Sequence, residues 1–419
     1  MIFYRLFSAI IRAGLWLVYP FSSGIRKFLK SRQNVFERIE AFGRRLNPLQ
    51  PVYWFHCASL GEFEQGRPLM EALKQKNSDT QIVLSFFSPS GYEVRKNYEG
   101  ADLVCYLPLD GMRNARRFIR AIRPEVAFFV RYEFWNAYLS VLEKNHIPAI
   151  SVSTLLHPHF APFRWYGGFY RSMLHKISYY FAQDENTALL LRQIGIEQVQ
   201  VAGDTRFDRV ANICDSAPRN ELAAAFKEES KLMVIGSSWP QDLAVLLPFM
   251  KEVVDDIKFI IAPHNIHEEE IQQIEKEIPY KTIRYSQVKR DTVSNYRVLI
   301  IDNIGMLTSL YRYGDFAYVG GAFGKSLHNI LEAATFGMPI FFGSKSYRHV
   351  REANELIRRG AAFPINNTEE LHDKFKHLLN HEDERQAIAE DCQNYVRGNT
   401  GATAQVMDYV AKHIQTNGR

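Results

Sequence analysis

Cysteine is scarce: the 419-residue chain carries only Cys57, Cys105, Cys214 and Cys392, all far apart. That spacing excludes zinc ribbons and CxxC redox motifs, and scattered thiols suit a reducing compartment better than a disulfide framework. Repeats are lacking too. No unit recurs at a period of roughly 20–50 residues, which disfavours solenoids and propellers. Glycine (24) and proline (17) are at ordinary levels, and no G-x-G-x-x-G fingerprint occurs. A large excess of one charge is also missing, with 51 Lys and Arg against 46 Asp and Glu. A general nucleic-acid binder would be basic throughout. What is present is a globular composition, 46% hydrophobic and 23% charged. At ~150 residues per domain the length implies two or three domains.

The small positive balance is local. Residues 1–50 hold nine Lys/Arg against two Asp/Glu, and the remainder hold 42 against 44. The opening MIFYRLFSAIIRAGLWLVYPF is apolar, with Arg5, Ser8 and Arg12 on one face at about 100° per residue. Pro20 stops the helix, and no small-x-small cleavage site follows. Arg26, Lys27, Lys30 and Arg32 come next, a cluster suited to an anionic cytoplasmic leaflet. The segment therefore reads as a membrane anchor, shallowly inserted or barely spanning. The other reading is a core-packing helix with a solvated basic face.

From residue 51, short apolar runs alternate with amphipathic stretches. PVYWFHCAS, QIVLSFF, DLVCYLP, EVAFFV, PAISVS, YYFAQ and VQVAG read as buried strands. After a pause at residues 214–218, KLMVIG, KFIIAP, VLIID, DFAYVG and PIFFG resume the pattern. Strand–helix alternation predicts α/β architecture: two doubly wound, Rossmann-like halves with a crevice between them and ligands beyond the carboxyl ends of the strands. From about Glu382 the sequence is polar and helical with no strand partner.

In the second half, Ser237 and Ser238 follow a strand that ends at Gly236, where they either cap a helix or leave N–H groups facing an anion. His264 and His267 follow another strand, and no third metal ligand accompanies them. The strongest signal is DFAYVGGAFGKSLHNILEAATFGMPIFFG. Gly320 and Gly321 end a strand, and a helix is predicted from Ser326–His328. Asn329 and Glu332 then share a face, where an acid can accept from ribose hydroxyls. Gly324-Lys325-Ser326 imitates a Walker A end, but Val319 stands where its first glycine belongs.

In the first half, Ser59-Leu60-Gly61-Glu62 turns from a strand into a helix. Glu62 is either a general base in the crevice or the acid of a capping box. Glu133 and Trp135 follow the run EVAFFV, and Glu133 is either a crevice residue or half-buried beside an arginine. Arg206, within GDTRFDR, can meet an anionic acceptor. His157-Pro158-His159 reads as a loop pair rather than a metal site. There is no Asp-x-Asp motif, which speaks weakly against a metal-dependent nucleotide-sugar site.

Taken in order, these motifs resemble the 3-deoxy-D-manno-octulosonic acid (Kdo) transferases, lipid A glycosyltransferases of GT-B fold. The resemblance runs from the anchor through HCASLGE (56–62), YEFW (132–135), GDTRFD (203–208), GSSW (236–239), APH (262–264), DNIGML (302–307) and the glycine-rich stretch 320–343. It implies membrane-associated helices over 1–48, an acceptor-binding domain over 49–212 and a nucleotide-sugar domain over 213–385. A C-terminal helix over 386–419 would pack back on the first domain. It implies Glu62 as general base, with Ser59, Gly61, Glu133 and Arg206 on the acceptor side. Ser237, Ser238, His264, Ile304, Gly305, Met306, Gly320, Gly321, Asn329 and Glu332 would hold the cytidine monophosphate donor. The implied reaction is inverting transfer of Kdo from CMP-Kdo to a lipid A precursor in lipopolysaccharide biosynthesis. It would proceed without cofactor, metal or nucleic acid, at the cytoplasmic face of a bacterial inner membrane contacted through residues 1–32. The chain departs from the family pattern at Pro263 (usually Arg), Met306 (usually Glu) and Asn136-Ala137 (usually Pro-Asn), and it lacks an arginine motif near Ser151–Leu156. The rival readings are a GT-B transferase using a UDP- or GDP-sugar, a sugar-nucleotide epimerase, and a non-catalytic membrane-bound nucleotide-sugar sensor.

Overall fold

A computed structural model describes residues 22–216, 219–253 and 257–414. The apolar helix expected over the first twenty residues, with Arg5, Arg12 and Pro20, lies outside them. The chain divides into two compact units: residues up to Asp208 together with those from Thr400, and Arg209–Asn399.

The first unit is built on seven strands: β1 (Val52–Cys57), β2 (Gln81–Phe86), β3 (Leu103–Tyr106), β4 (Val126–Val130), β5 (Ala149–Thr154), β6 (Tyr179–Ala182) and β7 (Val199–Val201). All pair in parallel in the order β3-β2-β1-β4-β5-β6-β7. Continuous apolar runs form these strands because helices cover both faces of the sheet. Trp54, Phe129 and Tyr138 lie in one core layer, and Phe55, Phe63 and Phe128 in the other.

The second unit repeats the plan with β8 (Lys231–Ser238), β9 (Ile257–Pro263), β10 (Thr282–Arg284), β11 (Val298–Ile300), β12 (Phe316–Val319), β13 (Ile340–Gly343) and β14 (Ala362–Ile365). Its parallel order is β10-β11-β9-β8-β12-β13-β14. The edge strands β10 and β14 are not among the runs read from sequence: each is short and only partly buried, and β14 contains Pro364.

The expected boundaries at 212/213 and 385/386 fall instead at 208/209 and 399/400. The helix Glu382–Gly398 belongs to the second unit because it buries Ile388, Cys392 and Val396, and Gln393 Nε2 donates to Phe336 O at 3.3 Å. Only the last helix, Ala402–His413, returns to the first unit, where Val406 and Val410 complete a core layer. Asp208 fixes its start, accepting from Gly401 N (2.5 Å), Thr403 N (2.7 Å) and Thr403 Oγ1 (2.7 Å).

A further correction concerns the basic cluster. Arg32 is not a surface cation. Its guanidinium lies 3.7 Å from the Phe28 ring centre and 4.6 Å from that of Tyr106. It also donates to Phe28 O (3.0 Å) and Phe87 O. Burial lowers its pKa to about 10. Among the described residues no helix is long and apolar enough to cross a membrane.

Candidate active site

In the first unit the strand order reverses between β1 and β4, so their loops leave a crevice at the carboxyl ends. Glu62 arises there, in the first turn of the helix Leu60–Lys76 that follows β1. Ser59 N donates to Glu62 Oε2 at 2.9 Å, so the cap reading is realised in part. The carboxylate is nonetheless 4% exposed. Burial, with the Glu133 charge added, raises its pKa to about 7 against the pull of the Ser59 and Ala58 N–H groups and Arg131. A cap alone needs no such environment, whereas a base working near neutrality does. A Cβ placed on Gly61 meets nothing within 4 Å, so the turn beside Glu62 is open.

Among the described residues Glu133, beyond β4, forms no salt bridge to an arginine of the kind considered from sequence. Trp135 Nε1 donates to its Oε2 at 2.8 Å, and His56 Nε2 stands 3.6 Å from the same oxygen. His56 is wholly buried, and its Nδ1 meets Ser85 Oγ at 2.9 Å, which also accepts from Trp54 Nε1 at 2.8 Å. Arg206 pairs with buried Asp204 through Nε (2.9 Å) and Nη2 (2.7 Å), and Gln65 Nε2 donates to the same oxygen at 2.9 Å. Its guanidinium is thus occupied within the unit, which weakens the expectation that it meets an acceptor. His157 stacks on His159 at 5.4 Å. Among the described residues no three His, Cys, Asp or Glu side chains gather as metal ligands.

In the second unit the order reverses between β8 and β12, and the candidate residues gather there. β8 runs on to Ser238 through a register shift, with Ser237 at φ +53°. Neither serine caps the next helix. Trp239 occupies that position, and Asp242 Oδ2 accepts from its N at 2.9 Å. Ser238 Oγ is buried with no hydrogen-bond partner, a cost that a ligand oxygen would remove. A Cβ on Gly320 would lie 2.3 Å from Ser237 O, so only glycine allows the two loops this close. Gly321 has φ +96°.

The helix expected from Ser326–His328 starts later, at Leu331, and ends at Ala334. Residues 321–330 are held as a loop instead, with Leu327 N donating to Ser346 O (3.1 Å) and Ser326 Oγ meeting His349 Nε2 (2.9 Å). The segment after the glycine turn therefore supplies only a short helix, well beyond it. Glu332 accepts from Asn329 Nδ2 at 3.0 Å and Thr308 Oγ1 at 2.6 Å, so the two expected ribose-side residues do meet. Thr308 ties them to the loop 304–306, where Ile304 is 86% exposed and Gly305 has φ +95°.

Three participants escaped the sequence reading. Asp242 is fully buried and also accepts from Gly321 N (2.9 Å) and Tyr318 Oη (3.0 Å), joining the β8 and β12 loops. Trp239 stacks on His264 at 4.1 Å and donates from Nε1 to His328 Nε2 at 3.0 Å. Burial lowers the pKa of His264, and that of His328 to about 4. Arg131, at φ +71°, is the cation that pulls against the rise of the Glu62 pKa. Trp239 stood in the GSSW motif without a role of its own, and Asp242, three residues on, carried only the signal of a helix cap.

Residues 33–209 match the sequence model of the family described as 3-deoxy-D-manno-octulosonic-acid transferase (kdotransferase). The 3-deoxy-D-manno-octulosonic acid transferase of Chlamydophila psittaci is 25% identical over 393 residues, 89% of each chain. That of Aquifex aeolicus is 26% identical over 336 residues, 78% of this chain and 85% of its own. The chain is thus similar to Kdo transferases along most of its length. It is a glycosyltransferase. Among solved structures, a UDP-GlcNAc 2-epimerase from Neisseria meningitidis aligns with TM-score 0.59 at 15% identity, covering 87% of this chain and all (100%) of its own. MurG of Acinetobacter baumannii aligns at 0.54 and 13%, covering 87% and 99%. These likenesses concern the fold alone.

Two of the departures from the Kdo transferase motifs have local accounts. Asn136 is buried and its Oδ1 accepts from Lys176 Nζ at 2.9 Å. Where an arginine motif is absent, Ser151 Oγ meets Thr154 Oγ1 (2.7 Å) and Ser153 Oγ meets Thr205 Oγ1 (3.1 Å). Arg131 supplies a cation from just beyond the adjacent strand, β4.

Proposed function

We propose that the protein moves Kdo from CMP-Kdo to a hydroxyl of a lipid A precursor with inversion, using Glu62 as general base. The observation that carries this reading is the Glu62 carboxylate, buried beyond β1 at the switch point and raised to about 7. Glu62 takes the acceptor hydroxyl proton. The oxygen attacks the anomeric carbon of Kdo, and the bond to the phosphate oxygen breaks with its electron pair leaving on cytidine monophosphate. Ser238 Oγ and the backbone of Ser237–Ser238 receive the phosphate, beside the glycine turn Gly320–Gly321 whose own N–H groups are taken by Gly236 O and Asp242. Glu332 and Asn329 take the ribose hydroxyls, and Ile304–Met306 and the Trp239–His264 stack lie against the base. The leaving group carries one phosphate, a charge that hydrogen bonds can stabilise without a metal. Residues 1–32 hold the enzyme at the cytoplasmic face of the inner membrane, where a lipid acceptor meets a soluble donor.

Glu62→Gln separates the two roles of this side chain, because glutamine still accepts from Ser59 N but cannot take a proton. We expect kcat with CMP-Kdo to fall about 10²–10⁴-fold while the fold is retained. Wild-type turnover would remove Glu62 as base. A competition screen with cytidine, uridine and guanosine nucleotides separates this reading from transferases or epimerases that use uridine or guanosine diphosphate sugars.

A further inference from the structure

Apart from the groups already assigned, the first unit holds a small apolar pocket of about 180 Å³ walled by Tyr132, Phe134, Leu156, Phe160, Tyr170 and Met173. Its walls come from the segments that follow β4 and β5, and Tyr132 and Phe134 flank Glu133 in the chain. The rim is a closed turn. Arg164 N donates to Ala161 O (3.1 Å) and Gly167 N to Arg164 O (2.9 Å). Arg171 Nη1 clamps the carbonyls of Pro162 (2.9 Å) and Arg164 (3.1 Å). A Cβ on Gly167 would lie 2.1 Å from Ala161 O, so the turn requires glycine there. This rigid turn holds Trp165 outward at 92% exposure and Tyr166 at 57%. An indole and a phenol presented beside an apolar pocket form the kind of surface that meets a water–lipid boundary. The charge agrees. Between Glu143 and Asp184 the sequence has no acidic residue, while Lys144, Arg164, Arg171 and Lys176 fall in that stretch.

We propose that this pocket takes part of one acyl chain of the anionic lipid acceptor, with Trp165 and Tyr166 in the lipid surface and Arg164 at a phosphate. The proposal rests on the lipid-acceptor reading above. At roughly 30 Å³ per water-sized group, the space admits about six methylenes, so one chain segment is gripped and the rest remains in the bilayer. A protein partner would need a far larger face than this pocket and its rim.

The test uses the full-length protein and dihexanoyl phosphatidylglycerol below its micelle concentration, read by tryptophan fluorescence with Trp165→Phe as the signal control. Saturable binding is expected, with weaker binding of dihexanoyl phosphatidylcholine. Ala161 also lines the pocket. Ala161→Leu, which fills it, and Tyr170→Ser, which removes a wall, should each weaken binding about fivefold, the loss of roughly one or two buried methylenes. Circular dichroism confirms that both variants are folded. In turnover, Ala161→Leu should raise KM for an acylated acceptor by a similar factor with kcat unchanged, and leave KM for a de-O-acylated acceptor alone. No saturable binding, wild-type affinity in both variants, or no preference for the anionic lipid overturns the proposal, whatever the turnover. Lipid binding as described, without transfer from CMP-Kdo by the wild type, would instead overturn the reading on which it rests.

Discussion

Glu62 is where burial and chemistry meet. Its pKa near 7 means that the fraction of free base, and with it kcat/KM, should fall below about pH 7. Glu133 contributes to that rise, so Glu133→Gln should move the acid limb of the pH profile to lower pH, whatever it does to the plateau. An unshifted limb would show that the two carboxylates do not interact. Stability follows the opposite sense. A carboxyl raised on folding contributes most below its unfolded value near 4.5, and that contribution is lost as pH rises through about 7. Glu62→Gln should therefore gain stability relative to the wild type above pH ~7, measurable by denaturant unfolding at two pH values. Ser238 offers a second residue-scale test. Because its hydroxyl is buried without a partner, Ser238→Ala should change stability by less than about 0.5 kcal/mol. Cytidine monophosphate binding by calorimetry should weaken about tenfold, the worth of one hydrogen bond to a charged group. Unchanged affinity would leave the serine outside the phosphate site.

At the scale of elements, motifs that read as helix caps and glycine turns do different work in the two units. Ser59 and Glu62 form the cap bond the sequence suggests, while Ser237 and Ser238 stay in the strand and leave the cap to Trp239 and Asp242. The register shift within β8 decides this, and it depends on pairing with β9, which no local pattern reveals. The last helix is likewise secured by a distant residue. Asp208→Ala removes three bonds at its start, so amide exchange over residues 402–413 should quicken by about tenfold or more, while amides of β8–β14 keep their rates. Protection unchanged at 402–413 would mean that Val406 and Val410 hold the helix unaided.

For the whole molecule, the chain leaves the first unit at 208/209 and rejoins it at 399/400, so sequence order and folding unit do not coincide. The charge is also unevenly placed, with the excess in residues 1–50. If residues 1–21 anchor the enzyme, their deletion should release it from the membrane pellet to the soluble fraction at physiological salt. A truncated chain that still sediments would leave attachment to the remaining basic groups or to the Trp165 surface.

Hydrophobic patterning alone determined twelve of the fourteen strands and the doubly wound class, because a strand buried on both faces must be apolar along its length. It also placed Glu62, Glu133, Asn329 and Glu332 at strand ends, where loops carry function. Tertiary structure alone decided which polar atoms are satisfied. Arg32 and Arg206 read as free cations until the fold supplied aromatic rings to one and Asp204 to the other. Asp242 gained its role only when the β8 and β12 loops came together. Pairing energies between residues far apart in sequence have no local signature, whereas the burial of an apolar run is written in the run itself.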